Sequence, residues 1–246
     1  MNLYGLIGMP LAQSFSKKYF TEKFEKEGIE HAAYELFPLE GIDLLKGLLS
    51  RHPDLKGLNV TIPYKEEVLP FLHSLDADAA EIGAVNCIKI NDGRLKGFNT
   101  DAPAFETSLM PLLESHHKKA LILGTGGAAK AVLHILNKLG IEYAFVSRQP
   151  GADFVYEDLN EATLAAYPLI INATPLGSFP KVDTAPAIPY EYLTARNYLY
   201  DLVYNPAMTL FLQKGAAKGA LIKNGYEMLV GQAELSWEIW NDAANQ

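Results

Sequence analysis

A glycine-rich stretch set between a short apolar run and a helix-forming run restricts this chain more than any other feature. Ala120-Leu121-Ile122-Leu123 is followed at once by Gly124-Thr125-Gly126-Gly127-Ala128-Ala129, and residues 130–139 then read as a helix. The pattern G-x-G-x-x-A between a strand and a helix is that of a dinucleotide-binding βαβ unit. Glycine is needed because a side chain at the turn would hold a pyrophosphate away from the backbone. The helix that follows offers unpaired N–H groups and the positive end of its dipole to phosphates. Gly124, Thr125, Gly126, Gly127 and Ala128 are therefore the candidate cofactor cradle.

The next strand decides which dinucleotide is expected. NAD binders commonly carry Asp or Glu at its tip, about 20 residues on, to hold the ribose 2′-hydroxyl. Here the strand over residues 143–146 runs into Ser147-Arg148-Gln149, with no acid at the tip. A guanidinium forms paired, charge-assisted hydrogen bonds with a 2′-phosphate and stacks on adenine, whereas a carboxylate repels it. Arg148 therefore points to NADP(H), with Asp153 close enough in sequence to keep NAD as the alternative.

Short apolar runs alternate with amphipathic stretches along almost the whole chain, which predicts an α/β fold on mostly parallel sheets. Strands are expected over residues 3–9, 33–37 and 57–62, and helices over 16–25 and 42–49. Residues 84–101 read as a hairpin turning at Asn91-Asp92-Gly93. A second unit opens near Lys118, with strands over 120–123, 144–147, 169–173 and 199–203. A last helix from Tyr226 carries Met228, Gln232, Leu235 and Ile239 on one expected apolar stripe. The expected division is a substrate-binding domain over 1–101 and 226–246 and a Rossmann-like domain over 102–225, with a cleft between them.

Composition narrows the partners. Of 246 residues, 49% are hydrophobic, ample for packed cores. A net charge of −8 argues against nucleic acid, which needs a basic face, so a small molecule is the expected partner. The opening MNLYGLIGMP lacks a basic region before a long apolar run, and no stretch of about 18 apolar residues occurs. Neither a signal peptide nor a membrane span is expected. Cys87 is the only cysteine, so no intrachain disulfide can form and a cytoplasmic location is expected. His116-His117 lack any recurring ligand spacing, so no metal is expected. Monomer and homodimer both remain open.

Several polar residues sit at strand ends or helix starts, where α/β folds place ligands. Ser14 and Ser16 open the first helix, where they either cap it or hold a carboxylate. Lys65 lies just beyond a strand end, followed by Glu66 and Glu67. Asn86 and Asp101 flank the hairpin, and Asp101 is also a candidate helix cap. An amide at Gln232 on the apolar stripe needs hydrogen-bond partners, which a ligand hydroxyl supplies.

Together with the glycine turn, these segments resemble the shikimate dehydrogenase family. In the family's order the chain shows SFS, NVTIPYK, GAVN, NTD, GTGGAA, INATPLG, YDLVYNP and NGYEMLVGQA. The resemblance implies reversible NADPH-dependent reduction of 3-dehydroshikimate to shikimate on the way to chorismate and the aromatic amino acids. It implies that Ser14 and Ser16, with Tyr204, bind the substrate carboxylate, and that Thr61, Lys65, Asn86, Asp101 and Gln232 contact the ring hydroxyls and reacting carbonyl. Residues 124–128 and Arg148 would hold NADP(H), and Leu202 and Gly225 would lie against the nicotinamide.

Any ketone reductase must deliver a proton to the carbonyl oxygen as hydride arrives at carbon. Such general acid–base help is worth ~10²–10⁴-fold. Lys65 is the expected proton donor and acceptor and Asp101 its orienting partner, with the reverse division open. The chain departs from the family at Cys87, Ser147, Gln149 and Asn224, where threonine, asparagine, threonine and aspartate are usual. Two of these flank Arg148 and bear on the NADP reading. The competing readings are an NAD-using quinate/shikimate dehydrogenase and a shikimate-sensing module without turnover. Lys65 and Asp101, both present, favour an enzyme over the sensor.

Overall fold

The computed structural model describes residues 1–11, 14–124, 126, 128–149 and 151–242. It divides into two compact units, Met1–Thr100 with Gln232–Gln246, and Asp101–Gly231, so the division falls inside the last helix.

In chain order the first unit contains β1 (Asn2–Gly8), α1 (Phe15–Glu27), β2 (Ala32–Pro38), α2 (Leu45–Arg51) and β3 (Leu55–Val60). The one-turn helix α3 (Tyr64–Glu67), β4 (Ser74–Leu75), α4 (Ala77–Ile82), β5 (Cys87–Asn91) and β6 (Arg94–Phe98) follow. Its sheet runs β2-β1-β3-β5-β6-β4, with β2, β1 and β3 parallel, β5 antiparallel to both β3 and β6, and β4 parallel to β6. The interior strands β1 and β3 are buried almost throughout, with Lys56 the one exposed residue of β3. Helix α1 buries Phe20 and Phe24, one turn apart on one face, and ends at Gly28 in the left-handed region (φ +67°). The hairpin turns through Asp92 (φ +46°) and Gly93 (φ +76°), a two-residue turn whose twist matches that of the strands.

The second unit contains α5 (Asp101–Leu109), β7 (Lys119–Leu123), α6 (Ala128–Lys138), β8 (Glu142–Ser147) and β9 (Phe154–Val155). After these come α7 (Glu161–Ala166), β10 (Leu169–Asn172), β11 (Tyr198–Asp201), α8 (Leu210–Ala216), β12 (Leu221–Asn224) and α9 (Tyr226–Asn241). All its strand pairs are parallel, in the order β12-β11-β10-β7-β8-β9. The strand order reverses between β7 and β10, and ligands of open α/β sheets bind outside the carboxyl ends of strands at such a switch point.

Some expected boundaries shift for visible reasons. Strand β3 stops at Val60: Thr61 N–H makes the last bond to β1, at Ile7 O, and Tyr64 N–H then bonds back to Thr61 O, turning the chain. Strands β10 and β11 stop at Asn172 and Asp201, whose side chains organise the turns that follow. The helix expected over 42–49 is a 3₁₀ turn, Ile42–Leu44, leading into α2. The apolar stripe of α9 is a correction: Ala233, Ser236 and Trp240 are buried, while Met228, Leu235 and Ile239 are half-buried. Trp240 sets this register. Its indole lies where any side chain on Gly57 would stand, and its Nε1 donates to Ile88 O at 3.0 Å. Buried Lys89 closes the same helix end, donating to Ile239 O at 3.0 Å and Asp242 O at 2.5 Å. No described helix is long and apolar enough to cross a membrane.

Candidate functional site

In the first unit, strand direction gathers the candidates on one sheet edge. Strands β1 and β3 end there, and antiparallel β5 begins there, since Asn59 stands opposite Cys87. Pairing of Cys87 with Phe98 then brings Asn86 beside Thr100. Ser14, Thr61 and Asn86 thus follow or precede strands at one edge, and Lys65 lies within the next turn of chain.

Ser14 is the N-cap residue of α1, yet its hydroxyl makes no capping bond. Its Oγ is buried and has no hydrogen-bond partner among the described residues. Leaving a buried hydroxyl unpaired costs roughly 1–3 kcal/mol, so a ligand acceptor there is favourable. The first turn of α1 carries no acidic residue to compete with an anion. A carboxylate suits this position.

Ser16 is hydrogen-bonded to Tyr34, and from there a polar chain runs through the unit. The Tyr34 hydroxyl donates to Asn59 Oδ1 at 2.8 Å. Asn59 Nδ2 donates to Asn86 O at 3.3 Å and to Ser236 Oγ at 2.9 Å. Asn86, 3% exposed, is clamped by Thr100: its Oδ1 accepts Thr100 N–H at 2.6 Å and its Nδ2 donates to Thr100 Oγ1 at 2.9 Å. Both ends of the amide are oriented, and Nδ2 keeps a second N–H for a ligand hydroxyl. Burial drives the Tyr34 phenol well above the usual range for tyrosine, so it stays a neutral donor.

Thr61 is half-buried, with its methyl group packed against Gly8, where a Cβ would collide with it. Lys65 is half-buried on α3, and its carbonyl accepts Val85 N–H at 2.8 Å, tying α3 to the segment bearing Asn86. Gln232 is half-buried on α9, whose rotation turns Ala233 and Ser236 inward.

In the second unit the glycine turn follows β7 at the switch point. Gly124 adopts φ +97°, and a Cβ there would stand 2.8 Å from Thr174 Cγ2, so conformation and packing both require glycine. Gly126 is different. A Cβ on it would meet nothing within 4 Å, so packing does not explain its missing side chain. Open space at such a turn is what a pyrophosphate needs. Ala129 N–H bonds Gly126 O at 2.9 Å. Thr125 and Gly127 lie outside the described residues, as does the side chain of Ala128.

Arg148 is exposed just beyond β8. Its positive charge acts on Tyr156, partly offsetting the rise that burial imposes on that phenol. Ser147 Oγ accepts Gln149 N–H at 3.2 Å, shaping the tip that carries the arginine. The Asp153 carboxylate accepts Phe145 N–H of β8 at 2.8 Å, so it serves the strand's own backbone. Leu202 and Gly225, beyond β11 and β12, come together: a Cβ on Gly225 would penetrate the Leu202 carbonyl. Gly225 N–H bonds Val203 O at 3.2 Å. Tyr204 lines a pocket of about 500 Å³ with Met208, Ile222, Lys223, Asn224 and Tyr226, and burial raises its phenol. Asp101 is the first residue of α5 and of the second unit, whereas Lys65 belongs to the first.

Sequence reasoning missed a set of supporting residues. Asn59, Thr100, Asn172 and Asp201 lay inside quoted motifs without an assigned role, while Tyr34 and Ser236 carried no signal beyond polarity among apolar neighbours. Asp201 is fully buried, accepting Asn172 Nδ2 at 2.9 Å, Val203 N–H at 3.0 Å and Thr209 Oγ1 at 2.5 Å. Desolvation pushes its carboxyl up to about 6.

Two α/β units, one with a glycine turn at a strand-order switch and one with hydroxyls, an amide and a lysine gathered at a sheet edge, define a two-unit dinucleotide-binding protein. Residues 6–88 match the family model for the shikimate dehydrogenase substrate binding domain. The shikimate dehydrogenase (NADP(+)) of Clostridium beijerinckii is 39% identical over 255 residues, spanning 98% of this chain and 93% of that one. That of Carboxydothermus hydrogenoformans is 38% identical over 259 residues, spanning 97% and 91%. The crystal structure of shikimate 5-dehydrogenase from Thermus thermophilus in complex with NADP(H) and shikimate superposes with a TM-score of 0.84 at 32% identity, covering 98% and 94%. The chain belongs to the shikimate dehydrogenase family.

Proposed function

We propose that this protein catalyses the reversible NADPH-dependent reduction of 3-dehydroshikimate to shikimate. The observation that carries the reading is the buried Ser14 hydroxyl at the start of α1, unpartnered among the described residues, on the sheet edge that also bears the clamped Asn86 amide. One group suits a carboxylate and the other a ring hydroxyl, which are the polar features of this substrate. The first unit binds substrate and the second binds NADP(H). The single buried Cys87 suits a reducing compartment, the cytoplasm.

Ser14 and Ser16 hold the carboxylate, with Tyr204 assisting. Thr61, Asn86 and Gln232 hold the ring hydroxyls. The turn from Gly124 to Ala128 holds the pyrophosphate, Arg148 the 2′-phosphate, and Leu202 and Gly225 border the nicotinamide. NADPH, when bound, supplies hydride from the nicotinamide C4 to the ketone carbon. As negative charge grows on the carbonyl oxygen, Lys65 donates a proton to it, and Lys65 accepts that proton in the reverse direction. Asp101 orients Lys65 and grips a neighbouring hydroxyl. Packing of the bare Gly225 backbone on Leu202 supports a flat surface at the nicotinamide end.

Reduction of 3-dehydroshikimate with NADPH carrying deuterium at both C4 positions tests the reading. Shikimate carrying one deuterium on the former ketone carbon is expected. Product without deuterium, or preferential turnover of NADH or of the quinate series, would contradict it.

A further inference from the structure

Ser236 lies on α9, one turn beyond Gln232, and is completely buried. Its hydroxyl has a single proton, given to Gln232 O at 2.8 Å. Toward Asn59 it can therefore only accept, and it takes Asn59 Nδ2 at 2.9 Å. The orientation of the Asn59 amide is not ambiguous. Its second N–H meets Asn86 O, a backbone carbonyl that can only accept, and its oxygen faces the Tyr34 hydroxyl. Thr100 Oγ1 lies 3.3 Å from the same Ser236 hydroxyl, and Thr100 is the residue that clamps the Asn86 amide.

One side chain thus touches both routes to Asn86, through Asn59 and through Thr100, and also bonds the carbonyl of Gln232. The positions linked are far apart in sequence: 177 residues separate Asn59 from Ser236, and 136 separate Thr100 from it. Helix stability does not require this hydroxyl, since a serine bonding the carbonyl four residues back is neutral to slightly unfavourable within a helix. Nor does packing, because alanine would fill nearly the same space. The feature left unexplained is its link between the helix bearing Gln232 and the hairpin bearing Asn86.

We propose that Ser236 is a positioning residue for substrate: its hydroxyl sets the spacing between Asn86 and Gln232, the two amides that read the ring hydroxyls. The inference rests on the reading that these amides hold the ring. The same chain continues through Asn59 and Tyr34 to Ser16, so the carboxylate end shares the reference point.

Two substitutions separate positioning from packing. Ser236→Ala keeps the volume and removes the hydroxyl. Ser236→Thr keeps a hydroxyl able to bond the carbonyl four residues back and adds a methyl group to a buried site. The readouts are KM for shikimate, KM for NADP⁺ and the thermal midpoint. Ser236→Ala is expected to raise KM for shikimate about fivefold to tenfold, the worth of one buried hydrogen bond. KM for NADP⁺ should stay within twofold of wild type, and Ser236→Thr should lower the thermal midpoint while nearly preserving KM for shikimate. A KM for shikimate unchanged in Ser236→Ala, or one that follows the thermal midpoint across both variants, overturns the proposal. Wild-type protein without shikimate-dependent NADP⁺ reduction would overturn the proposed activity and this inference together, whereas active wild type with an unaltered Ser236→Ala overturns the inference alone.

Discussion

Replacing Asp201 with asparagine removes one buried charge and should flatten the dependence of stability on pH. The substitution suits the site. An amide oxygen can take the place of Oδ1, accepting Asn172 Nδ2 and Val203 N–H, while the amide nitrogen faces Thr209, whose hydroxyl can turn to accept. Burial raises the carboxyl from 3.8 to about 6, so the fold favours its neutral form. The stabilisation from this group is therefore complete below pH 3.8 and is lost as pH rises through 6. At roughly 1.4 kcal/mol per unit, the whole change amounts to about 3 kcal/mol. About half of it falls between pH 5 and pH 8. His117 acts in the opposite sense: burial lowers its pKa, so its contribution is present above the usual histidine range and lost as pH falls. That effect is common to both proteins and cancels in their difference. Urea denaturation of wild type and Asp201→Asn at pH 5 and pH 8 measures that difference. Wild type should lose about 1.4 kcal/mol more than the variant on going to pH 8. Equal losses, or a larger loss in the variant, would refute the reasoning.

Arg148→Ala should raise KM for NADP⁺ by roughly 10–100-fold, the loss of one or two charge-assisted hydrogen bonds, with KM for NAD⁺ little changed. Equal effects on both cofactors would remove Arg148 from the 2′-phosphate. Gly57→Ala forces the Trp240 indole off β3 and should cost roughly 1–3 kcal/mol by overpacking. A lowered thermal midpoint with altered tryptophan emission is expected, and unchanged values of both would contradict the packing.

The parts of this molecule legible in its sequence are those where chemistry admits few residue types. The turn at Gly124 could be read because a left-handed backbone and close packing against Thr174 both demand glycine. The β5–β6 turn was readable for the same reason at Gly93. Strand ends were less legible, since β10 and β11 stop where Asn172 and Asp201 begin bonding to the turns, not where apolar character ends. The face of α9 was misjudged because Met228, Leu235 and Ile239 form a plausible stripe of their own. Its true rotation follows from Trp240 docking on Gly57 and Lys89 capping the helix end, contacts between residues some 150 or more positions apart. Tyr34 and Ser236 were invisible for a related reason: a buried hydroxyl acquires meaning only from its partners.

The most direct test is NADP⁺ reduction with shikimate, followed at the nicotinamide absorbance, in wild type and in Lys65→Ala. Wild type should turn over, and the variant should lose ~10²–10⁴-fold in rate while keeping its fold. Undiminished turnover in Lys65→Ala would remove that residue from the proton transfer. A wild-type protein that binds shikimate yet reduces neither NADP⁺ nor NAD⁺ would contradict the account and leave a sensing module in its place.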